Sequence, residues 1–451
     1  MNLLTPRNRI SVEPYDEAYS WGWNNMQLGH HVESISEENK FKAPLSPTKR
    51  VGSILNENVL EPSLIDLSGL GSKIAMVATG GSHTVIVTVD KKVYTFGRNQ
   101  SGQLGHGGFS DEASPKLLEF EEFSNDPVIS VACGDRHTVF VTEGSRVFVC
   151  GQNFNGQLGV GHKSNLDRPT NSELMERRRI TRAVCGSRHT ILISSKGEIG
   201  WGAYGQLGLG DNLDQLYSKK IDVDWKVANV VSKEHINLAL TTEYEIYQWG
   251  GKPFENEELQ VNNKPRLVIR TLNDRRVVEI AVASNHCLAR TSDGCLYSWG
   301  FKFEGLGYIK YLKHLEYTDE NENRKMSSGE ELISKKRLDM SDKSIIRDNS
   351  ECTVYRNHFF NNEKVSSIAC GDKVNFVVTE SGKLFVFGRG ENGELGLGKD
   401  EEADVPTQVK GTIQGKFVVK VIGGYWHAIA LIGSNEHFRQ QLDYLPHLQN
   451  K

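Results

Sequence analysis

Proline is scarce in this chain, 12 residues in 451, while glycine numbers 44. That balance excludes collagen and proline-rich disorder and points to many tight turns. No apolar run is long enough to span a bilayer, and residues 1–17 carry Arg7 and Arg9 without an apolar stretch. Neither a secretory signal nor a transmembrane segment is expected, so the protein is read as intracellular, cytoplasmic or nuclear, with a short mitochondrial presequence as an alternative. Charge of one sign is also lacking: the formal net charge is −4 and both signs are interspersed. Nucleic acid and acidic membrane surfaces are therefore not expected partners.

The 7 cysteines show no CxxC spacing. Cys133, Cys185 and Cys370 stand just before a glycine, at a repeat position that Thr79, Val282 and Gly423 also occupy. A position open to Cys, Thr, Val or Gly is a small buried slot, so these are expected as core thiols in a reducing compartment. Serine in a G-x-S-x-G elbow, an H-E-x-x-H pair and a recurring acid pair are absent as well. No catalytic residue, cofactor or metal is expected; the chain builds a surface and not a site.

What is present is one unit rewritten along the chain. Residues 132–159, ACGDRHTVFVTEGSRVFVCGQNFNGQLG, hold two short apolar strands, a Glu-Gly turn and a glycine-rich loop. The same order recurs at 78–105, 184–208 and 369–396. A histidine opens the first strand of the unit at His83, His137, His189, His235, His286 and His427, and Val374 takes its place once. An aromatic- or Cys-Gly step ends the second strand, and prolines at Pro62, Pro115, Pro169, Pro265 and Pro406 mark the segments upstream. Tryptophans 21, 201, 249 and 299 share the aromatic step and read as core.

Apolar runs of four to six residues, rich in Val, Ile and Phe and ended by glycine turns, are strands and not helices. The first unit lacks its opening half, and Val418 to Ile432 supplies an opening half that then stops. Pairing the two closes a ring and hides the sheet edges. The expected fold is all-β, a seven-bladed β-propeller of four-stranded units closed by the N- and C-terminal half-blades, over residues 18–432. A polar arm, 1–17, precedes it and a polar tail, 433–451, follows. Two insertions, 30–61 and about 308–360, interrupt it. Ser46 in Ser46-Pro47-Thr48-Lys49-Arg50 is a possible proline-directed phosphosite on the first insertion.

One histidine per blade spreads the imidazoles too far apart to ligate one ion, and each is expected to make a structural hydrogen bond within its own blade. The glycine-rich loops are followed by no helix and no Lys-Ser or Lys-Thr, so they serve tight turns and not phosphate. Recognition should be written in the variable residues before each histidine. These include Asp135, Arg136, Arg188, Lys233, Glu234, Asn285, Asp372, Lys373, Tyr425 and Trp426, expected on one face around the central channel.

The unit Cys-Gly-Asp-Arg-His-Thr followed by Asn-x-x-Gly-Gln-Leu-Gly resembles the repeat of the regulator of chromosome condensation family. The resemblance covers the chain apart from arm, insertions and tail, and it implies a monomeric, protein-binding propeller. Its best understood member is the nucleotide exchange factor for the small GTPase Ran, in which an Asp and a His immediately before repeat histidines press on the GTPase. The positions matching these here are Ser82, Arg136, Arg188, Glu234, Asn285, Lys373 and Trp426, with neither Asp nor His among them. The family's plant ultraviolet photoreceptor carries tryptophans one place earlier; here those positions are Gly81, Asp135, Ser187, Lys233, Ser284, Asp372 and Tyr425. The resemblance implies a regulator, most concretely an exchange factor for a small GTPase. An adaptor working through its insertions is the alternative, and chromatin association through Lys49-Arg50 and Lys335 to Arg337 a further one.

Overall fold

The computed structural model describes residues 15–23, 28, 58–172, 179–196, 199–200, 207–210, 215–217, 219–250, 263–270, 272, 275–300, 354–399 and 402–434. Ser46, Trp201, Cys352, most of both insertions, residues 1–14 with the presequence reading, and the tail from 435 lie outside them.

Strands β1 (Glu17–Gly22) and β2 (Val59–Leu64) open the chain. The first sheet follows as β3 (Ile74–Thr79), β4 (His83–Thr88), β5 (Val93–Gly97) and β6 (Glu112–Leu117). The second is β7 (Val128–Cys133), β8 (His137–Thr142), β9 (Val147–Gly151) and β10 (Leu166–Asn171). The third is β11 (Ile180–Cys185), β12 (Thr190–Ser194) and β13 (Ile199–Gly200). The fourth is β14 (Val227–Lys233), β15 (Ile236–Thr241), β16 (Ile246–Gly250) and β17 (Arg266–Ile269). The fifth is β18 (Val277–Val282), β19 (His286–Thr291), β20 (Leu296–Gly300) and β21 (Tyr355–Asn357). The sixth is β22 (Val365–Cys370), β23 (Val374–Thr379), β24 (Leu384–Arg389) and β25 (Glu402–Gln408). Finally β26 (Val418–Gly423) and β27 (His427–Ile432) join the two opening strands in a closing sheet of order β2-β1-β27-β26.

Closure by half-blades is as the sequence implies. β1 lies antiparallel to β27 from Glu17↔Ile432 to Gly22↔His427. The innermost strands touch in succession, β3 to β7, β11, β14, β18, β22 and β26, and β26 returns to β3. The expectation of seven four-stranded blades is corrected: the described residues form six complete blades, and the sheet β11–β13 has only three strands. In that sheet β13 pairs with β12 at Leu192↔Gly200 and Ile193↔Ile199, and residues 201–206, 211–214 and 218, which follow it, lie outside the described residues. The proline that marks an outer strand, tolerated there because the missing N–H faces no neighbour, sits in β2, β6, β10 and β25 and just before β17. Between β13 and β14 there is none.

The second strand of each blade is covered on both faces by the neighbouring blades. β4, β8, β19, β23 and β27 are buried at every position, which is why they read as unbroken apolar runs such as Val85-Ile86-Val87. The outer strands are less covered, as in β6, where every position is half-buried or exposed. The core is accordingly divided among the interfaces. One cluster, with Phe123, Phe140 and Phe148, joins the first two sheets; another, with Trp21, Phe376 and Leu395, joins the sixth to the closing sheet. Trp21, Trp249 and Trp299 are buried as expected of the aromatic step. The thiols of Cys150, Cys185 and Cys370 lie in this core, where burial pushes them up to about 12.

Candidate protein-binding face

Four of the histidines are bolts between blades, and here the reading of a bond within each blade is corrected. His83 Nε2 lies 2.9 Å from Thr138 Oγ1 and His137 Nε2 3.1 Å from Thr190 Oγ1, each partner belonging to the next sheet. His189 Nε2 meets Asn237 Oδ1 at 2.7 Å and His286 Nε2 meets Asn375 Oδ1 at 2.6 Å in the same way. Thr138 Oγ1 donates its own hydrogen to the Gln103 carbonyl at 2.7 Å, so it accepts from His83, whose Nε2 carries the proton. Burial holds these rings neutral, with pKa values lowered to about 3 for His83, His137 and His427 and to about 4 for His189 and His286.

The ladder also moves the register of the fourth unit. Ile236 pairs with Gly250 as His137 pairs with Gly151 and Val374 with Gly388, so Ile236, not His235, occupies the histidine slot. An apolar slot comes with an apolar partner. Ile236 packs on the cluster that holds Cys287, and Val374 shares a cluster with Ala428; Cys287 and Ala428 are the counterparts of Thr138. The polar pair is replaced as a unit.

Three residues before the slot stands a glycine in four of the five blades that carry the ring, and Ala283 in the blade of His286. A Cβ on Gly134 would lie 2.0 Å from His137 Cε1, whereas one on Gly371, in the blade with Val374, meets nothing nearer than 3.6 Å. We therefore expect Gly134→Ala to cost about 1–3 kcal/mol in a denaturant titration, as overpacking does. Gly371→Ala should be neutral or stabilise by about 0.5 kcal/mol through the unfolded chain. Equal losses in both would show that the ring does not set the glycine.

In the fourth blade that glycine position is Lys233. With Ile236 in place of a ring there is room for a side chain, and Lys233 runs across the channel to the closing sheet. Its Nζ donates to the carbonyls of Gly424 at 2.7 Å and Gly423 at 3.2 Å and stands 4.4 Å from the centre of the Tyr425 ring. The Tyr425 hydroxyl accepts from the Glu234 backbone N–H at 3.3 Å. Lys233 and Tyr425 are each 7% exposed, so they close the channel mouth and offer a partner almost nothing directly. Burial lowers the Lys233 ammonium to about 8 against the pull of nearby Asp372.

Around this plug the loops are laced together. Gly81 N–H donates to Asp135 O, Asp135 N–H to Ser187 O, and Ser187 N–H to Glu234 O, at 3.1, 3.1 and 2.9 Å. Ser284 Oγ donates to Asp372 O at 3.1 Å. Asp135 is half-buried beside Arg136, 3.7 Å away, and burial raises its carboxyl despite Arg136 and Arg188. Glu234, at φ 49, is raised likewise, by burial and then by Asp372.

The next ring outward is the accessible one. With the corrected register it comprises Ser82, Arg136, Arg188, His235, Asn285, Lys373 and Trp426. Arg136, Arg188 and Trp426 are exposed, Trp426 at 37%, while Asn285 is half-buried with its Oδ1 2.8 Å from His286 Nδ1. Asp372, Lys373 and Trp426 line a shallow cleft between the sixth and closing sheets, together with Arg389 and Glu391. Trp23 packs against Trp426 with ring centres 6.2 Å apart at 83°. Trp23, Arg389 and His235 were missed by sequence reasoning, which looked only at the two residues before each histidine. The lysine standing in a glycine column was a legible signal. Among the described residues no group of His, Cys, Asp and Glu gathers as for a metal ion, and no helix is long and apolar enough to cross a membrane.

Known proteins share this architecture. The chain is 28% identical over 356 residues to the ultraviolet-B receptor UVR8 of Arabidopsis thaliana, covering 76% of this chain and 72% of that one. It is 29% identical over 399 residues to the human E3 ubiquitin-protein ligase HERC2, covering 86% of this chain but spanning only 7% of the length of HERC2. Among solved structures, Prp20p of Saccharomyces cerevisiae, studied for its binding to Gsp1p and histones, superposes with a TM-score of 0.70 at 20% identity. That match covers 97% of this chain and 96% of Prp20p and speaks to the fold. Residues 11–308 match the RCC1-like domain, and residues 381–431 match the regulator of chromosome condensation (RCC1) repeat. Matched over more than half its length, the chain belongs to the RCC1-like domain family.

Proposed function

We propose that this propeller is an intracellular regulator of a small GTPase that acts by guanine nucleotide exchange, through the rim that carries Arg136, Arg188, His235 and Trp426. The observation that carries the reading is the division of the face: the channel mouth is closed by Lys233 and Tyr425, and exposed Arg and Trp stand in the ring around it. Arg and Trp are the residue types that dominate interface hot spots. The corrected register adds to this. His235 falls in the class of position from which the Ran exchange factor presses its Asp and His on the GTPase, and that factor's fold is the one recovered in Prp20p. The tryptophan positions of the photoreceptor hold no tryptophan here, so light reception finds no support.

No side chain of the face makes or breaks a bond in this mechanism. A rim that fits the GTPase better when its nucleotide pocket is distorted and empty lowers nucleotide affinity by the factor by which nucleotide lowers its own binding. The rigid ring is suited to such work because its loops are laced to each other and yield little.

Affinity capture from cell extract, washed with EDTA to empty GTPases and repeated with excess GTP, tests the proposal on the wild type and an R136A/R188A/W426A variant. A small GTPase held only when emptied, and held at least about tenfold less by the variant, is expected, since hot-spot truncations cost on the order of 2 kcal/mol each. A partner that ignores nucleotide and survives the triple change would overturn the exchange reading and move the contacts to the insertions.

A further inference from the structure

We propose that Lys233 is the positioning residue of the binding face: reaching across the channel from the fourth sheet, it fixes the Gly424-Tyr425-Trp426 corner that presents the Trp426 indole. The inference rests on the reading of Trp426 as a partner contact, but its geometry stands apart from that reading. Trp426 lies in the three-residue loop between β26 and β27, and both sides of that loop are held. On one side the Trp23 N–H donates to the Trp426 carbonyl at 2.8 Å, and Gly22 is close enough that a Cβ there would lie 2.5 Å from the same oxygen. On the other, Lys233 Nζ grips the Gly423 and Gly424 carbonyls and lies over the Tyr425 ring, at 3.2, 2.7 and 4.4 Å.

The grip is specific to one blade. At the same position the other sheets have Gly80, Gly134, Gly186, Ala283, Gly371 and Gly424, none of which can reach the channel. At Gly80, Gly134, Gly186 and Gly424 a Cβ would lie within 2.0 to 2.6 Å of the ring carbon of the blade's own histidine, and the blade of His286 admits no more than the methyl of Ala283 there. Ile236 releases the fourth blade from that constraint, and the side chain admitted there is a cation placed on two carbonyls and a π face. Two residues out of the repeat pattern, Lys233 and Ile236, thus act together to brace a third, Trp426, on the far side of the ring. A loop with its carbonyls and ring held in a desolvated site keeps one orientation, and an indole in one orientation loses less entropy on binding.

The test reads the Trp23–Trp426 pair in the full chain by near-ultraviolet circular dichroism, as the difference between the wild type and Trp426→Phe. Lys233→Met, which keeps the stem and removes the charge, should lose more than half of that difference signal while far-ultraviolet dichroism stays native. It should also reduce capture of the emptied GTPase about tenfold. An unchanged signal in folded Lys233→Met would overturn the proposal. Tyr425→Leu removes the ring and leaves the lysine, and is judged by the same two outcomes should Lys233→Met not fold. Trp426→Ala separates the readings: if it captures as the wild type does, the binding reading fails, and the dichroism alone decides the role of Lys233.

Discussion

Lowering the pH from 7 to 5 should remove most of the stability of this protein. Five buried histidines are the cause: His83, His137, His189, His286 and His427 stay neutral in the folded ring down to about 3 or 4. In the unfolded chain each takes up a proton near pH 6.5. Below that pH the unfolded state binds more protons, so stability falls with pH until the folded pKa is reached. By pH 5 each ring forfeits about 2 kcal/mol, and the set on the order of 10 kcal/mol, against a typical domain stability of about 5–15 kcal/mol. Asp135 and Glu234, whose carboxyls burial raises, oppose the trend, since the fold protonates them more readily. They are two against five. Equilibrium denaturant titrations at half-unit steps should show a slope approaching five protons near pH 5. A midpoint that hardly moves between pH 7 and 5 would mean that the rings are charged or solvated in the fold.

Replacing one bolt as a unit should cost less than its parts. Thr138→Ala leaves the His83 Nε2–H buried without an acceptor and takes a donor from the Gln103 carbonyl, for about 2–4 kcal/mol. His83→Val empties the volume of a ring that is fully buried. The double variant recreates the apolar pair that Val374 and Ala428 form between the sixth and closing sheets. It should be more stable than the sum of the singles by about 1–2 kcal/mol, the size of a coupled contact. Its acid slope should fall by one proton. Strict additivity of the singles would show that the two residues do not act as a pair.

Much of this was legible because the repeat multiplies each signal. The glycine steps, the apolar runs and the split first unit identify strands, blades and ring closure, since every unit repeats the same local physics. The register failed in the fourth unit, where the pattern thins. One histidine beside an isoleucine put the register off by a residue, because adjacent residues of a strand face opposite sides and only the ladder says which one points inward.

By itself, the amino-acid sequence determined that the chain forms a closed all-β ring with one face of variable loops, because periodicity and turn chemistry are local properties. Tertiary structure alone decided which residues of that face remain accessible. Lys233 and Tyr425, 192 positions apart in the chain by their numbering, meet only because the ring brings the fourth sheet opposite the closing one. The histidine bolts likewise join residues some fifty positions apart or more. Contacts of that range depend on where blades fall around a circle, and no window of sequence contains a circle.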